Sequence, residues 1–447
     1  GDLVVDMNNA DFFDILMNST SNITVGDDWT NSFLSSGVYA INQFSGSGVA
    51  VTDRFNYTSN SGSERMEIDM EGTATFTATD LFVSQSTATG DQTSGILLDS
   101  DAAMTISDSL HWIQSTEGFT DIYLNQAIDG SAADAQLTVN SLTIDKDGGD
   151  DIRILLAQDA DITVTTNLVI TADNLEADDP IIITLNNAAG VDINGLADIE
   201  LNSASSVDID FNHASSGNFD VAQSMRVANS ADDTDFDFTG TGDLIVGTDL
   251  LFELSNSDIF DMDLTSTSNV TVGDDWINSV LSTTTMTLDV RESSGVAVTD
   301  RFSITTDAGT GLVEVDLDDD ATFTSVDFIV NQNSGTSDVS SGIRIDEDAS
   351  MTITDSLHWI QPTEGLTLLY LNQEVDGSGA DAQLTVNSLT YDKDSGDDLL
   401  IRLNQDADIT VATNLVIDAD NMDTDDPVQF ILDAASGIDV NGDVIIG

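Results

Sequence analysis

Apolar and polar residues alternate along most of this chain, in short runs broken by small polar spacers. "ITVGDDWTN" from Ile23, "VAVTDRFNY" from Val49, "MTISDSLHW" from Met104, "ITVTTNLVI" from Ile162, "FDVAQSMRV" from Phe219 and "LIVGTDLLF" from Leu244 share one form. Each is apolar–x–apolar, about three small or polar residues, then apolar–x–apolar, and looser versions start at Ala74, Leu137 and Val191. A period of two marks strands with one buried face. In Val207–Phe211 the apolar residues then face in, and Asp208 and Asp210 face out. Helical periodicity is hard to find, and each spacer reads as a corner between two short strands. The motif returns every 25–33 residues. A sandwich or barrel also gives short strands, but neither explains one corner recurring at every turn. The pattern predicts an all-β fold, a parallel β-solenoid whose coils stack about 4.7–4.9 Å apart. Its wide turns favour right-handed coiling.

A longer repeat contains the short one. "MTISDSLHWIQSTEGF" at Met104 returns as "MTITDSLHWIQPTEGL" at Met351, a spacing of 247 residues that Trp29 and Trp276, Arg54 and Arg301, and Pro180 and Pro427 also keep. Residues 1–247 therefore read as nine turns and 248–447 as about seven, some 16 turns of 25–33 residues in one continuous solenoid. That predicts a rod of roughly 75–80 Å. Gly442–Gly447 ("GDVIIG") resembles Gly242–Gly247 ("GDLIVG"), while Thr248–Glu253 resembles Gly1–Asp6 ("GDLVVD"). The middle thus reads as the tail joined to the head. No capping segment is visible, so the ends are expected to be uncapped, open β edges. The expected end-to-end interface comprises Gly1, Asp2, Leu3, Val4 and Val5 at one end and Asp443, Val444, Ile445, Ile446 and Gly447 at the other. Such a head-to-tail contact propagates without closing, with copies of this chain or further repeats of the same polypeptide as partners.

Composition narrows the function classes. Asp and Glu number 81 against 10 Lys and Arg, a net charge of −71. Nucleic acid and anionic membrane surfaces are poor partners for such a chain. No apolar run is long enough to insert in a membrane. Only 12 of the acids are Glu and 69 are Asp, the residue of turns and caps. The absence of Cys excludes disulfides and thiolate metal sites. The first residue is Gly and no signal peptide is visible, which suggests a mature product or an excised segment. Stacked carboxylates repel, so the fold is expected to need salt or divalent cations to stay ordered.

Candidate chemistry is sparse. "DSLHW" (Asp108–Trp112, again at Asp355–Trp359) holds Asp, Ser and His together, but alternation turns His111 outward while Leu110 and Trp112 point in. A triad needs convergence in space. "DKDGGDD" and "DKDSGDD" read as acidic corners that could hold calcium, which takes six to eight oxygens. Their candidate ligands are Asp145, Asp147, Asp150, Asp151, Asp392, Asp394, Asp397 and Asp398, with Lys146 and Lys393 neutralising locally. Neither matches an EF-hand loop. No cofactor is required by anything in the sequence. Arg54 and Arg301 follow corner aspartates and suit structural ion pairs. Asn18, Asn22, Asn56 and Asn269 open N-x-Ser/Thr sequons and are candidate glycosylation sites. Thr73–Thr79 would make a flat ice-binding row only if it recurred every turn, and as a motif it does not. The four Trp are expected in the core.

The "ITVTTNLVI"-type turns, the Asp/Asn/Gly/Thr/Ser corners and the lack of Cys resemble the β-helical shafts of bacterial surface proteins. These are the filamentous-haemagglutinin-like exoproteins, autotransporter passengers and giant repeat adhesins. The resemblance implies an exported, elongated, non-enzymatic fibre at the cell surface, touching carbohydrate or a host surface if it is an adhesin shaft. Polysaccharide lyases share the β-helix but group basic residues with acids in a groove, and ten basic residues here are scattered over the whole chain.

Overall fold

A computed structural model describes residues 1–447 except 8–11, 34–36, 61–64, 87–92, 116, 126–133, 204–205, 256–258, 282–284, 308–310, 334–339, 363–364, 373–380, 395–396, 421, 423–426 and 434. The described residues form strands and no helix, so no helix could cross a membrane. They fall into two compact units, Gly1–Met225 and Arg226–Gly447. This division by contacts is distinct from the repeat boundary at 247/248.

Each unit is a parallel β-solenoid. A coil contributes a first arm, a second arm and a return strand, as in Asn22–Val25, Trp29–Phe33 and Val38–Gln43. Each segment pairs in parallel with its equivalent one coil on: Asn22 with Gly48, Trp29 with Phe55, Val38 with Arg65. Eight return strands stack in the first unit, from Phe12–Met17 to Ile209–Ser215, and eight in the second, from Thr234–Phe238 to Val428–Leu432.

The spacer is not a corner in every coil. Ala103–Gln114 and Ser350–Ile360 each run through it as one strand, with a bulge between Ile106 and Ser109 and between Ile353 and Ser356. Gln136–Gly149 is likewise continuous. The expected corner at Asp145–Asp147 is therefore strand, because alternation carries on through Ile144 and Lys146 as inward residues. The tight bend lies instead between return strand and first arm. There Ser19, Ser100, Gln158 and Asp319 hold φ of 57°, 62°, 61° and 57°, and Gly72 holds 63°. Only glycine adopts this left-handed region freely.

Inward residues of successive coils pack on one another. Trp29 meets Phe55 edge-on at 5.2 Å, and its repeat partner Trp276 meets Phe302 at 5.1 Å. Burying each such ring contributes on the order of 2–3 kcal/mol. Polar residues also point inward. Trp29 Nε1 donates to Asn31 Oδ1 at 2.9 Å, and Tyr39 donates to the same oxygen. Packing changes at the last coil. Leu403, Leu415 and Ile417 are 0–3% exposed, whereas Leu432, Val444 and Ile446, one coil on in the same columns, are 50–58% exposed.

Candidate functional site

"DSLHW" does not assemble a relay. Ser109 Oγ donates to Asp80 Oδ1 at 2.6 Å across the coil boundary, and Asp108 accepts from Asn140. The half-buried His111 ring faces outward, edge-on to Phe82 at 5.5 Å, and its pKa is lowered by burial. In the second copy Ser356 again donates to the equivalent aspartate, Asp327, and Asp355 accepts from Asn387.

The acidic segments also differ from the loop read in sequence. Asp145 and Asp147 lie on the outer face of the strand that ends at Gly149, and Asp147 accepts from Asn174 at 2.9 Å. Asp150 instead gathers with Glu176 and Asp179, ligand oxygens within 4.8 Å of one another. Asp151 is pushed up to about 6 by burial, with Asp179 and Asp150 adding to the shift and Arg153 opposing it. Asp392 ends the equivalent strand of the second unit, Asp394 follows it, and Asp397 and Asp398 precede the return strand at Leu399. The corners named "GDD" and "TDR" gather carboxylates too: Asp27, Asp28 and Asp53, and 247 residues on, Asp274, Asp275 and Asp300.

Lys146 and Lys393 do not sit among these acids as surface neutralisers. Alternation turns both side chains into the coil, where each is fully buried and donates to a backbone carbonyl, of Gly118 and Gly365, at 2.5 Å. Gln114 donates to the same Gly118 carbonyl and accepts from Thr120, and Gln361 repeats the arrangement with Gly365 and Thr367. Burial lowers Lys146 to about 8. The eight arginines each meet a carboxylate. Arg153 holds the buried Asp121 with two bonds of 2.8 Å, Arg301 reaches Asp275 at 2.6 Å, and Arg54 reaches Asp80 at 3.6 Å. Arg65, Arg226, Arg291, Arg344 and Arg402 pair with Glu67, Glu253, Asp289, Glu314 and Asp433. The ten cations thus serve the coils where they stand.

Of the sequon asparagines, Asn18 and Asn22 are exposed, while Asn56 and Asn269 are half-buried on strands. Asn269 is further held by Asp243 at 2.9 Å.

The sequence raises stacked carboxylates and a Thr row, but which residues meet is set only by the stacking of the coils. Thr77, Thr105, Thr138 and Thr163 lie in register on four consecutive coils. On the return strands of the second unit Asp237, Asp263, Asp289 and Asp316 do the same, ending at Arg344. Burial and the neighbouring acids raise Asp263 to about 6 and Asp316 to about 7.

Among the described residues, the terminal coils have unpaired outer sides. In the first unit Leu3–Met7, Phe12–Met17 and Asn22–Val25 pair only with the second coil. In the second unit Val428–Leu432, Gly437–Val440 and Val444–Ile446 pair only with the coil before. Each end thus presents one strand of every column. Gly442–Gly447 does not take the place of Gly242–Gly247, however. Val444 stands in the second-arm column, reached through Leu250, Trp276, Phe302, Phe328, Leu357, Leu389 and Leu415. Leu244 stands in the first-arm column with Val270. Six residues of similar composition fit either arm, since both are apolar–x–apolar.

No family model, curated protein or solved structure matches the chain.

Proposed function

We propose that this chain is a non-catalytic structural segment of an extracellular fibre, extended by stacking coil on coil at its two ends. The observation that carries this reading is the pair of terminal coils. Each has three strands with one open edge, and at the last coil the inward apolar residues remain exposed. An open β edge over an uncovered apolar interior favours another strand of the same kind. Contact between two different ends is heterologous and propagates. The commitment of all ten cations to local pairs supports a scaffold rather than a catalytic groove. The resemblance to bacterial surface shafts supports an extracellular place. An adhesin shaft whose binding tip lies elsewhere shares this architecture. Divalent cations at Asp27, Asp28 and Asp53, and at Asp274, Asp275 and Asp300, would relieve repulsion between coils.

Electron microscopy of the purified chain, with calcium and with chelator, tests the reading. Fibres of uniform width that lengthen with concentration are expected. Isolated particles at every concentration, in either medium, would overturn it.

A further inference from the structure

The bends between return strand and first arm open a groove in the first repeat. Phe44, Ser45, Glu71, Gly72, Asp99 and Ser100, from the bends of three successive coils, line a cavity of about 470 Å³. That volume is in the range of small-ligand sites. The coil stack holds the three bends in line. The amides of Phe44, Glu71 and Asp99 donate to the carbonyls of Met17, Gln43 and Met70 at 2.9, 2.8 and 2.8 Å. Gly72, at φ 63°, keeps the groove open, because a β-carbon there would come within 2.6 Å of Ser45 Cβ.

The second repeat fills the same place with charged side chains. At a spacing of 247 residues the two acids are kept, as Asp318 and Asp346, but Phe44 becomes Arg291. Ser45, Gly72 and Ser100 become Glu292, Asp319 and Glu347. The Arg291 amide makes the equivalent backbone bond, to Leu264 at 2.8 Å. Its guanidinium bonds Asp289 at 2.6 Å and lies 3.9 Å from Asp263. The second repeat thus carries its own cation at this bend. The first puts a half-buried aromatic ring there, beside carboxylates.

We propose that this groove binds an organic cation, an ammonium or guanidinium group on a short apolar stem. The Phe44 ring lies against the stem, and Glu71 and Asp99 attend the charged head. The face of an aromatic ring attracts such cations. The two carboxylates turn anions away. A bare divalent ion seeks six to eight oxygens and gains nothing from a ring. Asp69, two residues before Glu71, is held up to about 6 by burial, with Glu71 and Asp99 adding and Arg65 opposing. A cation in the groove offsets that repulsion, as Arg291 and Arg344 oppose it around Asp316 in the second repeat. A free amine or guanidine and the Lys or Arg side chain of a partner protein share this chemistry. The site is independent of what covers the end coils.

Amide NMR of the full chain tests it, titrated with n-butylguanidinium, with neutral n-butylurea, and with a blocked Gly-Arg-Gly peptide. Saturable shifts are expected at Ser45, Gly72 and Ser100 with the two cations and not with the urea. Asp319, at the equivalent bend, should move several-fold less than Gly72. Tighter binding of the peptide assigns the cation to a partner's side chain. Tighter or equal binding of n-butylguanidinium assigns it to a free small molecule. Phe44→Arg should supply the cation from within and abolish the shifts. Glu71→Gln should weaken binding roughly threefold or more, with circular dichroism unchanged. Equal shifts at Gly72 and Asp319 would reduce the effect to general charge screening and overturn the site. So would binding of n-butylurea as tight as that of the cations, full affinity in Glu71→Gln, or no saturable shift with any probe.

Discussion

The middle and last coils of the second unit share the same strand columns but dress them differently, and the first coil of the first unit carries 247-residue equivalents of those columns. In the middle, one outward column reads Asp237, Asp263, Asp289 and Asp316, carboxylates on successive strands. In the last coil the same column reads Ile431, and in the first coil of the first unit the 247-residue equivalent of Asp263 is Leu16. Inward, the relation is reversed. The middle coils bury Met262, Leu288 and Val315 completely, while Phe430 in that column of the last coil is 37% exposed. A coil covered on both sides can carry like charges outward, because its apolar interior holds it in place. Arg291 sits between Asp263 and Asp289, and Arg344 closes the ladder beside Asp316. A coil open on one side has no such reserve. Its outward positions here mix apolar residues such as Leu16 and Ile431 with Asp14 and Gln429.

Inward substitutions separate the two regions most sharply. Ile401→Asp buries a charge in a covered coil and is expected to lower stability by about 3–5 kcal/mol in urea denaturation. Phe430→Asp, one coil further out in the same column, should cost only about 1–2 kcal/mol, the part of its ring that is covered, because the carboxylate reaches water. It should nevertheless abolish fibre growth. Equal losses from the two would mean that the last coil is as covered as the middle.

The ladder gives the next largest effect. Burial and neighbouring acids hold Asp263 near 6 and Asp316 near 7 in the folded chain, above the ordinary carboxylate value of about 3.9. Folding then takes up protons. The stability this contributes is fully present below the ordinary value and is lost as pH rises through about 6–7. The charges facing Asp316 are Asp289, Glu314, Asp346 and Arg344, and those facing Asp263 are Asp261, Asp289 and Arg291. Melting temperature should therefore fall between pH 5 and pH 8. Asp316→Asn should recover about 1–2 kcal/mol at pH 8, screening by solvent removing the rest, and nothing at pH 3.5. A variant with no pH-dependent gain would break the ladder account.

The smallest effect lies in the bends. Asp319→Gly removes a left-handed strain that Gly72 avoids at the equivalent position in the first unit. It should stabilise by less than about 1 kcal/mol in thermal melts.

The solenoid itself was legible in the sequence, because alternation and a corner motif recur wherever a strand must bury one face. Trp29, Trp112, Trp276 and Trp359 fall in the core as alternation requires. What could not be read was neighbourhood across coils. Asp289 is 26 residues from Asp263 in the chain, and only the pairing makes them adjacent. Lys146 was read as a surface charge because its flanking aspartates suggested a turn. The strand instead continues, and the bond to the Gly118 carbonyl makes an inward lysine tolerable. The likeness of Gly442–Gly447 to Gly242–Gly247 misled for a related reason. The two arms share one apolar pattern, and only stacking tells them apart.

Amide hydrogen exchange read by mass spectrometry, on the chain dispersed and then concentrated, tests the stacking of open coils most directly. The account expects Leu3–Met7, Phe12–Met17, Val428–Leu432 and Val444–Ile446 to slow together on concentration, while interior strands such as Thr285–Val290 stay as slow as before. Terminal strands that exchange at one rate in both samples, with new protection arising on an interior face, would contradict it.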